Sequence, residues 1–138
     1  MLATVTVNYW HAAVAAIAAF AVGALWYGPL FGKQWMKLSG ITPQKMKSSK
    51  KSPAKSMGIG FVLTVVTATI LACVLAHVQA GTMAEALQIA FVIWLGFPMP
   101  VEAGSVIWEG KPFKLLVLNS LHSLVSLLIM AAIITAWV

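Results

Sequence analysis

The sequence is poor in charge: it contains no arginine and no aspartate, and only 9% of its 138 residues are charged. Soluble domains carry about a quarter charged residues, so this composition excludes an ordinary soluble domain. Disorder is excluded as well, because 61% of the residues are hydrophobic and disordered chains have few such residues. The chain is therefore expected to be an integral membrane protein.

Cysteine is almost as scarce as charge. Cys73 is the single cysteine and stands in an apolar run, so it is expected to be a small buried hydrophobe outside any internal disulfide. The sequence also lacks a nucleophile elbow, an HExxH motif, a phosphate-binding glycine loop and a cysteine pair. We therefore expect neither an enzyme nor a bound cofactor, with a haem or pigment on His77 or His122 as the alternative.

Long apolar runs are what the sequence has in abundance. A helix needs about 20 apolar residues to cross a bilayer, and the runs at 9–32, 56–80, 85–107 and 113–138 all exceed that length. They predict an all-α fold, an integral membrane bundle of four transmembrane helices that forms a single domain over residues 1–138. A secretory signal peptide is the alternative for the first run, disfavoured because no basic residue precedes it.

The lysines predict the orientation of this bundle. All nine lie in or beside the first and third connections, seven of them at residues 33–55. Because cytoplasmic loops carry an excess of lysine, we expect both of these connections to be cytoplasmic and both termini to be outside. The four spans are then expected to form two antiparallel hairpins of a multi-pass protein in the cytoplasmic membrane. The second connection, near residues 80–84, is so short that the second and third spans are also expected to form a tight antiparallel hairpin.

The basic loop at residues 33–55 is flanked by apolar spans, which favours contact with the lipid bilayer over nucleic acid. We expect a short interfacial helix near Trp35 to Leu38 within it. The lysines expected to meet lipid headgroups are Lys45, Lys47, Lys50, Lys51 and Lys55.

Small residues recur every four positions on two spans and predict close helix packing, since small side chains let backbones approach in lipid. They are Ala15, Ala19 and Gly23 on the first span, and Thr64, Ala68, Ala72, Ala76 and Ala80 on the second. So small a bundle is expected to form a homo-oligomer or to join a larger membrane complex. Trp94, which lies mid-span away from the interfacial tryptophans, is expected to pack against a neighbouring helix.

Two motifs near the ends of the first and third spans carry a family resemblance. The stretch ALWYGPLFGKQWMKLSG follows an alanine-rich span, and WEGKPFKLLVLNS precedes a last span that reads LVSLLIMAAI. Together they resemble the small membrane proteins of the domain-of-unknown-function 1761 family over nearly the whole chain. The resemblance implies a four-span membrane protein of bacterial type without an established biochemical role. The sequence departs from the expected family pattern at Pro98-Met99-Pro100-Val101-Glu102 and at His122.

Polar residues inside the spans mark a candidate intramembrane site. Glu102 follows two prolines that are expected to kink or open the third span. The last span places four polar side chains on one helical face: Asn119, His122, Ser123 and Ser126. We expect a polar crevice between spans three and four in which Glu102 exchanges a proton or binds a cationic group.

The partner of Glu102 is expected to be His122, Lys114 or Asn119, because an ionisable residue at membrane depth needs one. In the alternative interpretation, which the sequence favours slightly, Glu102 reaches the headgroup region and pairs with a lysine. The polar face of the last span then only joins helices by hydrogen bonds.

A metal site is a weak further candidate. His11, His77 and Glu85 lie near the predicted outer ends of three spans, and imidazole and carboxylate groups ligate zinc or copper. Their spacing forms no local motif, so the expectation is that no metal is bound.

The function predicted from the sequence is that of a structural or accessory membrane subunit, or a self-associating bundle. The alternative is a dimeric proton-coupled transporter that uses Glu102 and the polar face of the last span.

Overall fold

The computed structural model describes residues 9–40 and 53–136, and these form helices joined by short turns, with no strand among them. The helices are α1 (Tyr9–Leu25), α2 (Gly32–Ser39), α3 (Pro53–His77), α4 (Met83–Gly96), α5 (Pro98–Glu109) and α6 (Phe113–Ala136), and a π-helical turn (Trp26–Leu30) follows α1. The headgroup predictions for Lys45, Lys47, Lys50 and Lys51 fall outside the described residues.

Four helical segments are long and apolar enough to cross a membrane, as the composition predicted. They are Tyr9–Leu30, Ala54–His77, Met83–Glu109 and Phe113–Ala136. Each has at least 22 residues, more than the roughly 20 that a bilayer requires. The four-span, all-α prediction is thereby confirmed.

The third span is broken at Phe97, where α4 ends and α5 begins. Phe97 has φ −122° and ψ −75°, outside the helical region, and Pro98 occupies the first position of α5. Proline has no N–H and its ring clashes with the preceding turn, so Pro98 and Pro100 interrupt the hydrogen-bond ladder. The interruption expected from the prolines is thus present.

Standard capping interactions mark the start of α4 and the end of α5. Thr82 caps α4: its Oγ1 accepts a hydrogen bond from the N–H of Glu85 at 3.2 Å, while the Glu85 carboxylate accepts one from the N–H of Gly81 at 3.1 Å. Gly110 ends α5 with φ +69°, a left-handed conformation that glycine adopts without steric cost.

The last helix is the centre of the bundle. α6 packs against α1, α4 and α5, and α1 also packs against α3. α3 and α4 are consecutive and joined by a short turn, yet they are not a principal packing pair. This differs from the tight hairpin expected of the second and third spans, because a short connection constrains only the helix ends whereas α3 packs along α1.

The core consists mostly of small residues at one end of the bundle, where α1 and α4 begin and α3 and α6 end. The stripes on the first two spans contribute to it where α1 meets α3, since Ala15, Ala19, Ala68 and Ala72 are buried, although Ala76 is exposed. The core residues are Ala12, Ala15, Ala16, Ala19, Ala68, Leu71, Ala72, Leu75, Ala86, Ala90, Leu127, Met130, Ala131 and Ile134. The polar groups of the spans lie toward the opposite end of the bundle.

Enlarging a buried alanine is expected to loosen this core. Ala16 is 0% exposed, so Ala16→Leu should lower the free energy of unfolding by about 1–3 kcal/mol through overpacking. Ala21→Leu is the matched control, because Ala21 lies on the same helix and is exposed. Denaturant titration in detergent micelles measures both, and equal stability of the two variants would contradict the packing of α1.

Candidate functional site

The carboxylate of Glu102 lies between α5 and α6, where two serines of α6 bind it. Ser120 Oγ donates a hydrogen bond to Glu102 Oε2 at 2.7 Å, and Ser123 Oγ donates one to Oε1 at 2.8 Å. Ser120 is buried and the other two side chains are half-buried. Each oxygen of the Glu102 carboxylate therefore accepts a hydrogen bond from a serine hydroxyl of α6.

The helix geometry explains why these two serines reach the same carboxylate. Residues 120 and 123 are three positions apart on α6 and hence lie on one face. Ser105, one turn beyond Glu102 on α5, donates to the Glu102 carbonyl oxygen at 2.7 Å and not to the carboxylate. Trp94 Nε1 donates to the Ser120 carbonyl at 2.8 Å, so α4 fixes the same turn of α6. Trp94 packs against a neighbouring helix, as expected.

The three residues expected to pair with Glu102 have other partners or positions. His122 and Asn119 make their hydrogen bonds elsewhere, and Lys114 is exposed near the start of α6. Within residues 9–40 and 53–136 the ion pair that forms joins Lys111 Nζ to Glu109 Oε2 at 3.5 Å, both exposed. The carboxylate of Glu102 is thus bound by neutral hydroxyl groups and not by a lysine.

A second polar cluster lies beside the first and includes a residue from the first span. The hydroxyl of Tyr27 donates to Asn119 Oδ1 at 2.8 Å, across 92 positions of the sequence. The Tyr27 ring meets that of His122 edge to face at 4.9 Å between centroids, and His122 Nε2 lies 3.3 Å from Ser126 Oγ. This cluster ties the end of the first span to the last helix.

The turn after α1 positions Tyr27. Gly28 adopts φ −104° and ψ −105°, and the N–H of Phe31 bonds the carbonyl of Trp26 at 2.8 Å, one residue further than in an α-helix. The Tyr27 ring also contacts Trp35 of α2 at 5.8 Å. Trp26 Nε1 is buried without a hydrogen-bond partner among the described residues. The turn that contains Gly28 and Pro29 therefore directs the side chains of Trp26 and Tyr27 into the bundle.

A cavity of about 530 Å³ lies next to both clusters. It is bounded by α1, α3 and α6, with Pro98 at the break in the third span. The residues that line it are Ala19, Phe20, Gly23, Ala24, Tyr27, Met57, Gly60, Leu63, Thr64, Thr67, Pro98, His122, Ser123, Ser126, Leu127 and Met130. This cavity lies among spans one, two and four, whereas the Glu102 carboxylate lies between spans three and four, the two spans between which a polar crevice was expected.

Ser123 is the residue common to the cavity and the carboxylate. It lines the cavity and donates to Glu102, which does not line it. On α1, the absence of a side chain at Gly23 leaves space for the His122 ring, since a Cβ at that position would lie 3.1 Å from His122 Nε2. The site thus has a small-residue wall on α1, a polar wall on α6 and a carboxylate immediately behind that wall.

The remaining predicted residues do not gather into a second site. The described chain contains no group of three histidine, cysteine or acidic side chains close enough to hold a metal, so His11, His77 and Glu85 do not converge. Glu85 caps α4 instead. Lys55, the one described member of the headgroup set, is exposed on α3.

Sequence reasoning missed two functional residues, Ser120 and Tyr27. Ser120 carries a signal that was available, since it stands three positions before Ser123. Tyr27 carries no such signal, because no periodicity in the sequence reveals that a kinked turn directs its side chain inward.

Comparison with protein families gives one match. The family described as "Protein of unknown function (DUF1761)" matches residues 10–135, which confirms the resemblance carried by the two motifs. Comparison with curated proteins and with solved structures finds no match.

Gly23→Ala tests the contact between α1 and His122. Alanine in place of an exposed helical glycine stabilises by about 1 kcal/mol, and Gly58→Ala, whose added methyl meets nothing within 4 Å, is the matched control. We expect Gly23→Ala to gain less stability than the control and to shift the ¹⁵N signals of the His122 ring. Unchanged ring signals would show that His122 does not lie over Gly23.

Proposed function

The chain belongs to the DUF1761 family, and since that membership names no activity, we propose from the site that it is a proton-coupled membrane carrier in which Glu102 takes up and releases the proton. The observation that carries this proposal is the binding of the Glu102 carboxylate by the hydroxyls of Ser120 and Ser123. A carboxylate at membrane depth is costly and marks a functional position.

Hydroxyl partners suit a group that changes its protonation state. A serine hydroxyl donates to an ionised carboxylate and, after rotation, accepts from a protonated one, so either state is satisfied without repacking. A lysine partner would instead hold the carboxylate ionised. The two serines are therefore the partners that proton exchange requires.

The cavity supplies a place for a second ligand beside this proton site. Its size, about 530 Å³, falls within the range of small-molecule sites, about 300–1,000 Å³. Ser123 connects the two, because it lines the cavity and bonds the carboxylate. The break at Phe97 allows α5 and Glu102 to shift relative to α4 during exchange.

We propose the membrane setting as the lysines predict it. The protein lies in the cytoplasmic membrane with both termini outside and the loop at residues 33–55 against anionic headgroups. It binds the lipid bilayer and no nucleic acid, works as a homo-oligomer or within a larger complex, and catalyses no covalent reaction. A structural or accessory subunit is the competing function, and it needs no protonation of Glu102.

Glu102→Gln separates the two functions. Infrared difference spectra recorded on acidification should contain a carboxylic C=O band that Glu102→Gln removes, since an amide does not protonate in this range. Glu109→Gln is the matched control, because Glu109 is exposed and pairs with Lys111. Glu85 and Glu109 contribute bands of their own, so spectra of Glu102→Gln that match those of the unaltered protein would overturn the carrier proposal. A change confined to particle mass would support the accessory function.

A further inference from the structure

We propose that the cavity binds lipophilic organic cations, and that each bound cation replaces the proton on Glu102. This inference rests on the proposed carrier function and names its substrate class. Three features of the described residues carry it: the chemistry of the cavity wall, the charge behind it and the position of its rim.

The wall of the cavity selects an apolar body with few hydrogen-bonding groups. Most of the described lining residues are apolar, and the hydroxyls of Thr64 and Thr67 already donate to carbonyls of their own helix. The other polar side chains of the lining are Tyr27 and, on α6, His122, Ser123 and Ser126. A ligand is thus held by dispersion on most sides and by polar contact on one.

The charge near the cavity selects a cation. None of the described residues that line the cavity is a lysine, whereas a carboxylate lies one hydroxyl away, behind Ser123. In a medium of low dielectric constant this charge attracts a cation and repels an anion strongly. The rings of Phe20 and Tyr27 add aromatic faces, which also attract cations.

The exchange balances charge without any further reactant. When Glu102 is protonated the site is neutral, and when the cation enters, the carboxyl O–H bond breaks and the proton leaves to water. The ionised carboxylate then accepts from Ser120 and Ser123 and faces the cation through Ser123. The proton forms an O–H bond with the water molecule that accepts it, and no oxidant or reductant is needed.

The rim of the cavity points to entry from the bilayer. The exposed lining residues are Ala24, Met57, Leu63 and Thr67, and Leu63 is 62% exposed. They lie on α1 and α3 within segments long and apolar enough to span a membrane. A lipophilic cation dissolved in the bilayer therefore meets an apolar entrance that a hydrophilic ion would avoid.

Equilibrium binding of radiolabelled tetraphenylphosphonium to the purified protein in detergent tests the inference. We expect saturable binding that strengthens as pH rises, release of a proton for each cation bound, and no competition by tetraphenylborate, an anion of the same shape. Glu102→Gln should weaken binding about tenfold, as expected for the loss of a charge at low dielectric constant. Glu109→Gln should bind as the unaltered protein does.

The pH dependence identifies the group that exchanges the proton. His122 on α6 and Tyr27 after α1 are titratable side chains that line the cavity together with Ser123, the residue that binds Glu102. Glu102→Gln should abolish the pH dependence of binding if Glu102 is the exchanging group. Persistence of the full pH dependence in this variant would overturn the inference.

A second variant tests the cavity without touching the carboxylate. Thr67→Phe fills the cavity from its rim, while Val66→Phe adds the same ring at a neighbouring exposed position outside the cavity. Thr67→Phe should abolish cation binding and keep the infrared band of Glu102, and Val66→Phe should keep both. Cation binding in Thr67→Phe equal to that in Val66→Phe would overturn the assignment of the cavity.

The two proposals fail separately. If Glu102 shows its infrared band but tetraphenylphosphonium does not bind, or binds equally to Glu102→Gln, the substrate class is wrong and the carrier function stands. If the band is absent, the carrier function fails and the inference falls with it. Equal competition by tetraphenylborate would also overturn selection by charge.

Discussion

A carboxylate placed inside an apolar span must find hydrogen-bond donors within the protein, and the bonds from Ser120 and Ser123 to Glu102 meet that requirement. They join α5 to α6 close to the break at Phe97, where the two prolines interrupt the backbone hydrogen bonds of the third span. Trp94 adds a bond from α4 to the same turn of α6. The broken span is therefore aligned by side chains of its neighbour, and the location of the cavity follows from how closely α5 packs on α6.

The second constraint is the separation of packing residues and polar groups along the bundle. Small buried residues hold α1, α3, α4 and α6 together at one end, where helices approach closely and polar groups are absent from the core. The other end contains the carboxylate, the aromatic cluster and most of the cavity, with larger and more polar side chains between the helices. Packing residues and polar groups are thus concentrated toward opposite ends of the bundle, and they meet at the cavity, where Ala19, Leu127 and Met130 belong to the core and also line the cavity.

Much of the fold was predictable from the sequence, because hydrophobic length and proline position act locally. The four spans, the interruption before Glu102 and the contact of Trp94 with a neighbouring helix all follow from such local signals. Periodicity also placed Asn119, His122, Ser123 and Ser126 on one face, but it does not say which helix opposes that face. That is why the cavity was expected between spans three and four, and why the inward turn of Tyr27 was missed: both depend on which helices meet in three dimensions.

The π-helical turn at Trp26–Leu30 links a short helix to the interior of the bundle. Tyr27 touches Trp35 of α2 on one side and bonds Asn119 on the other, so it spans the distance between a surface helix and the interior of the bundle. α2 carries exposed Lys33 and Lys37. A displacement of α2 is therefore expected to reach α6, whose serines bind the Glu102 carboxylate, through the Tyr27 ring and through the direct packing of α2 on α6.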